Sequence, residues 1–162
     1  MTGRIILIGM PAGGKTTIGA ALSRALSVPL YDADALTEQT VGCSIPEIFA
    51  AEGETAFRAL ERRTLEALCT ETETPCVIAT GGGAVLTEQN RELLRRSGTV
   101  FWLDRTADNI MSTDYAAGRP LLAGGEAALR AMYAVRCPLY AACAHYRVPD
   151  GTVDQMKDFI LR

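Results

Sequence analysis

The chain lacks most of what would mark a secreted, membrane-bound or zinc-dependent protein. No apolar run approaches the roughly 20 residues that a membrane-crossing helix needs, and strand-like residues begin at once, so no targeting leader is expected. The five cysteines, at 43, 69, 76, 137 and 143, are odd in number and never spaced C-x-x-C. A disulfide framework or zinc site is therefore not expected, and the thiols suit a reducing cytoplasm. Histidine is nearly absent: His145 stands alone, beside Tyr146 and just before a short strand, and is expected to be structural. Sixteen Lys and Arg against 19 Asp and Glu give a net charge of −3, so no basic excess invites nucleic acid or a membrane surface as a partner. There is neither an internal repeat nor a low-complexity linker. What remains is one domain of 162 residues, 48% hydrophobic and 22% charged, expected to be a cytoplasmic monomer.

Against these absences stands one dense motif. Gly9 to Thr16 read G-M-P-A-G-G-K-T, which fits the phosphate-loop pattern G-x-x-x-x-G-K-[ST] at every fixed position. The context also fits, because Ile5-Ile6-Leu7-Ile8 reads as a buried parallel strand and Ile18, Leu22 and Leu26 recur at helical spacing. Glycines at 9, 13 and 14 let backbone N–H groups turn inward around an anion, helped by the partial positive charge of the helix N-terminus. Lys15 is expected to reach the terminal phosphates of a nucleotide, and the Thr16 hydroxyl to ligate Mg²⁺.

Further along, strands are expected at Val28–Tyr31, Cys76–Ala79, Thr99–Leu103 and Tyr146–Val148. Helices are expected from Ser44, where Glu47 completes a capping box, to Gly53, then over 54–70, 88–96, 126–144 and 153–161. Alternating strands and helices on short connections predict an α/β fold of three layers, a parallel five-stranded sheet with helices on both faces. Between 107 and 125 the periodicity weakens, and Gly118-Arg119-Pro120 and Gly124-Gly125 enclose Leu121-Leu122-Ala123; this segment is expected to be a mobile lid.

Five polar features could complete a reaction site. Asp32 and Asp34 emerge at the carboxyl end of the second strand, the edge where open α/β sheets bind ligands. One carboxylate can hold hydrated Mg²⁺ and the other receive a hydroxyl proton, or one can instead be a helix N-cap. Arg58 suits a carboxylate on a small substrate, although Glu54 and Glu61 on the same helix offer it ion pairs. Thr80-Gly81-Gly82-Gly83 follows a buried strand, where bare backbone can meet a ligand. Arg119 can swing onto a transferring phosphoryl group, and Arg136 is a second partner for a substrate anion.

Taken together, the phosphate loop, Asp32-Ala-Asp34, Phe57-Arg58-Ala-Leu-Glu61, Thr80-Gly-Gly-Gly83, Arg119-Pro-Leu-Leu122 and Arg136-Cys-Pro-Leu-Tyr140 occur in the order and spacing of shikimate kinases. The chain resembles that family over nearly its whole length. The resemblance implies a nucleoside-monophosphate-kinase-like P-loop fold and transfer of the ATP γ-phosphate to the 3-hydroxyl of shikimate. It further implies that Gly9, Ala12, Gly13, Gly14, Lys15, Thr16, Thr17 and Arg119 bind the nucleotide. Asp34, Arg58, Gly81, Gly82 and Arg136 would bind shikimate, Thr16 and Asp32 would hold Mg²⁺, and Lys15, Asp34 and Arg119 would carry catalysis. One stretch departs from the family pattern: 107–118 holds no basic residue where an arginine usually packs on adenine, so Tyr115 or Met111 is expected to cover the base. A gluconate or nucleotide kinase, or a degenerate nucleotide-binding module, could be built on the same loop.

Overall fold

A computed structural model describes residues 3–116 and 124–162, with the side chains of 114–116 also left undescribed. Five strands, β1 (Arg4–Ile8), β2 (Leu30–Asp32), β3 (Cys76–Ala79), β4 (Gly98–Asp104) and β5 (Tyr146–Pro149), form one sheet in the order β2-β3-β1-β4-β5. Every pairing is parallel, which forces each connection to cross a face of the sheet. The helices are α1 (Lys15–Leu26), α2 (Ala33–Val41), α3 (Ile45–Glu71), α4 (Glu88–Ser97), α5 (Ala107–Ala116), α6 (Gly125–Cys143) and α7 (Val153–Leu161).

Strand alternation divides the core in two. On one face Ile6 and Ile8 of β1, Ile78 of β3 and Val100 and Trp102 of β4 pack with Leu65 and Leu68 of α3, Leu94 of α4 and Tyr140 of α6. On the other, Ile5 and Leu7, Val77, and Phe101 and Leu103 meet Ile18 and Leu22 of α1 and Met156 and Ile160 of α7. The strands are thus apolar on both sides, as the continuous Ile-Ile-Leu-Ile run implied, and the three-layer expectation holds.

Local signals account for most element ends. Ser44 and Glu47 close the capping box at the start of α3, and Thr152 with Gln155 does the same for α7. At Gly53 the α3 helix breaks, with φ 80° and ψ 178°, so it is two helices end to end, as the sequence suggested. All five cysteines are free. His145 Nδ1 accepts the Val100 N–H at 3.0 Å and His145 N donates back to Val100 O at 2.8 Å, so its work is to fasten β4 to the loop before β5.

Two helices depart from the sequence reading. No element was expected between Asp34 and Ser44, yet α2 forms there on the N-cap of Asp32, ending at Gly42 in the left-handed region. Residues 107–116, expected as part of a lid, are the helix α5, tied down by the fully buried Ile110. Arg119 and the rest of 117–123 lie outside the described residues.

Candidate active site

The order β2-β3-β1-β4-β5 makes β1 the switch point, with earlier crossovers running to one side and later ones to the other. At such a point the strand ends splay and leave a crevice. Here the crevice is a cavity of about 880 Å³, floored by Pro11 to Thr17 and walled by Asp32 and Asp34 after β2, Thr80 to Gly83 after β3, Arg105 after β4, Arg58 on α3 and Arg136 on α6. Residues far apart in sequence therefore meet because each follows a strand of one parallel sheet or leans over its end.

The phosphate loop shows the strain its task requires. Ala12 takes φ 59° and Gly14, the N-cap of α1, takes φ 83°; a left-handed alanine costs roughly 1–2 kcal/mol. Gly9 does not line the cavity. It sits beneath the loop, where an added Cβ would come within 2.8 Å of Leu103 O. Lys15 is only 8% exposed, and its Nζ donates to Gly9 O at 2.9 Å and Met10 O at 2.7 Å. Burial pulls its pKa down to about 8, with the Asp34 and Asp32 carboxylates pulling back up and Arg136 pushing further down.

Asp32 is the helix N-cap that the sequence offered as one alternative, and its second oxygen faces the phosphate loop. Its Oδ1 caps α2 by accepting the N–H groups of Asp34 and Ala35, each at 3.1 Å. Its Oδ2 accepts the Thr16 hydroxyl at 2.6 Å. Two hard oxygen donors are thus held side by side at the edge of the loop, a set that suits Mg²⁺, which takes one or two protein oxygens and completes its shell with phosphate and water. No cluster of three or more His, Cys, Asp or Glu able to hold a metal occurs among the described residues.

On the opposite wall the three consecutive glycines are each crowded by something else. A Cβ on Gly81 would come within 2.5 Å of Asp34 Oδ1 and 3.0 Å of Glu61 Oε1, and one on Gly83 would overlap the Arg58 guanidinium. Gly82 stacks on Pro11, and its carbonyl accepts the buried Tyr140 hydroxyl at 2.6 Å. Arg58 pairs with Glu61 Oε2 at 2.8 Å and with Glu54 Oε1 at 3.3 Å. Both ion pairs foreseen as an alternative are therefore present, yet the guanidinium still faces the cavity.

Glu61, which the sequence offered only as an ion-pair partner for Arg58 and as the end of the Phe57–Glu61 element, is a buried member of this wall. It is 2% exposed, and its Oε1 has no hydrogen-bond partner among the described residues. The only local signal was its position three residues after Arg58. Met111, expected over the base, instead packs against the core, and Thr113 is the α5 residue on the cavity among the described side chains. The side chain of Tyr115, like Arg119, lies outside the described set.

Asp34 carries the clearest electrostatic signature. Burial raises its pKa to about 6; Lys15 opposes the rise, while Asp32, Glu61 and Glu38 add repulsion. The folded carboxyl keeps its proton up to about pH 6, whereas an unfolded one releases it near 3.8. This contribution to stability is therefore whole below the lower value and lost as pH rises through the higher one. Asp34→Asn, neutral throughout, is expected to gain on the wild type between about pH 4 and pH 7, by ~2 kcal/mol, in urea titrations. Equal stability of the two proteins across that range would contradict the assignment.

A buried lysine in a phosphate loop that shares one cavity with Asp32, Asp34, Arg58 and Arg136, at the switch point of a parallel sheet, places the chain in the class of P-loop kinases. Comparison with known proteins makes this specific. The shikimate kinase family model matches residues 11–160. A shikimate kinase of Symbiobacterium thermophilum is 42% identical over 149 residues, covering 89% of this chain and 84% of the relative. One of Ruegeria pomeroyi is 38% identical, covering 97% and 82%. The solved shikimate kinase from Acinetobacter baumannii in complex with shikimate superposes with a TM-score of 0.90 at 34% identity, covering 98% of this chain and 90% of that one. The chain belongs to the shikimate kinase family, the enzymes that phosphorylate shikimate.

Proposed function

We propose that ATP lies on the phosphate loop with its γ-phosphate toward Asp34, and that shikimate occupies the Asp34–Arg58–Arg136 side of the same cavity. The observation that carries this reading is the sharing of one cavity by Lys15, Thr16, Asp34, Arg58 and Arg136. Arg58 and Arg136 bind the shikimate carboxylate, and Gly81 and Gly82 give the ring room to approach. Asp34 orients the 3-hydroxyl and takes its proton as the oxygen attacks the γ-phosphorus; the bond to the ADP oxygen breaks on the far side. A carboxyl whose pKa lies near 6 is suited to accepting and releasing a proton close to neutral pH.

Gly13, Gly14, Thr16 and Thr17 hold the phosphate chain, with Ala12 shaping the turn and Gly9 supporting it from below. Lys15 and Arg119 stabilise the charge on the transferring group. Thr16 directly, and Asp32 through water, hold Mg²⁺, which when bound neutralises the phosphate oxygens. Little covalent help is needed in such a loose transition state, so position and charge do most of the work. Among the described residues no helix is long and apolar enough to cross a membrane. The proposed setting of the enzyme is the cytoplasm, and its proposed state a monomer.

A coupled ADP-release assay with shikimate, gluconate and nucleoside monophosphates tests the reading. Turnover is expected with shikimate alone. Turnover with another acceptor and none with shikimate would overturn it, and ATP binding without transfer to any acceptor would make the protein a binding module.

A further inference from the structure

Arg105 has no role in the account so far, although its side chain is four-fifths buried and it lines the same cavity. It follows β4 directly, and its Nη1 lies 3.5 Å from where a Cβ on Gly14 would stand, beside the N-terminus of α1. A cation beside a helix N-terminus is repelled by the helix dipole. Its Nε has no hydrogen-bond partner among the described residues, and it stands 3.4 Å from Asp150 Oδ1. The terminal amines likewise donate to no acceptor there. Asp150 is itself fixed, because its Oδ2 accepts Thr106 N at 2.9 Å, Thr106 Oγ1 at 3.2 Å and Asn109 Nδ2 at 2.7 Å. The result is a guanidinium beside Asp150 whose donors meet no hydrogen-bond acceptor among the described residues, at the edge of the phosphate loop.

Topology says which part of the nucleotide it meets. Asp34 and Gly81 follow β2 and β3, on one side of β1; Arg105 and Gly151 follow β4 and β5, on the other. A γ-phosphate directed at Asp34 leaves the α-phosphate and nucleoside on the Arg105 side. No basic residue in 107–118 competes for that place.

We infer that Arg105, braced by Asp150, is a nucleotide-binding residue that grips the α-phosphate end of ATP and ADP. This rests on the orientation of ATP proposed above. The test is calorimetric binding of ADP, ATP and shikimate, each measured separately, to the full chain and to Arg105→Ala, Arg105→Lys, Asp150→Ala and the double variant Arg105→Ala/Asp150→Ala. Arg105→Ala is expected to weaken ADP and ATP alike by about tenfold or more, with shikimate affinity within about twofold. Arg105→Lys keeps the charge without the fork and should fall between. Asp150→Ala should weaken the nucleotides less than Arg105→Ala, and the double variant should be no worse than Arg105→Ala.

ADP affinity unchanged in Arg105→Ala would overturn the inference alone, leaving the kinase reading intact. So would a larger loss for ATP than for ADP, which would move Arg105 to the transferred phosphate, or an equal loss of shikimate and nucleotide, which would make the residue merely structural. A wild-type chain that binds no ADP would overturn both.

Discussion

Lys15→Met is expected to lower kcat by about a thousandfold while shikimate affinity stays within about twofold. The side chain keeps nearly its length and loses only its charge, so the cradle is preserved in shape. What disappears is the one cation that the phosphate loop buries. Its position is built in: Nζ is held by the Gly9 and Met10 carbonyls, on the loop that passes from β1 into α1. A phosphoryl group in transit spreads charge over three oxygens, and a preorganised, buried cation stabilises that charge more than it stabilises the ground state. Steady-state and single-turnover rates measure the effect, with thermal melting as the control for folding. A variant that keeps a wild-type kcat would show that Lys15 does not carry the developing charge.

Arg58→Ala is expected to hurt twice. Truncation removes a shikimate anchor, raising KM for shikimate by about a hundredfold, and it strips the nearly buried Glu61 of its partner. Leaving one charge of a buried pair uncompensated costs about 3 kcal/mol, which in a domain of this size lowers Tm by roughly 6–12 °C. The two effects separate in a second variant. Arg58→Met/Glu61→Gln removes both charges and should recover much of the lost stability without restoring shikimate use. Nucleotide affinity should be unchanged in both. If the double variant regains shikimate turnover along with stability, Arg58 is a structural ion pair and the acceptor is held elsewhere.

How much of this could be read from the sequence depended on the range of the cause. The strand, loop and helix of residues 4–26 were legible because apolar run, glycines and helical spacing all lie within one short stretch. The break at Gly53 and the Ser44 capping box were legible for the same reason. Helix α2 was not, because Ala33–Val41 buries only Ala33 and Thr37 and so offers little periodicity; Asp32 as its cap was the one available clue. Helix α5 was hidden by its mixed composition, with Ile110 alone fully buried among its described side chains. Met111 was misplaced because a thioether suits a core as well as a base, and only the packing decides.

The site itself was largely legible, since motif residues follow strands and parallel strands end together. Its supporting contacts were not. Glu61 reaches Gly81 across two elements, Tyr140 reaches Gly82 over 58 positions, and Arg105 gains its place from the strand order, which local pattern does not specify. Arg58 shows why the two readings of a charged residue need not compete: its ion pairs with Glu54 and Glu61 are what hold the fork toward the cavity.

The most direct measurement compares ADP release with shikimate and with shikimate methyl ester, at equal acceptor and saturating ATP. The ester keeps the ring and hydroxyls but removes the anion that Arg58 and Arg136 are placed to bind. Steady turnover is expected with the acid, and a kcat/KM lower by about a hundredfold with the ester. Equal turnover of the two, or none with either, would contradict this.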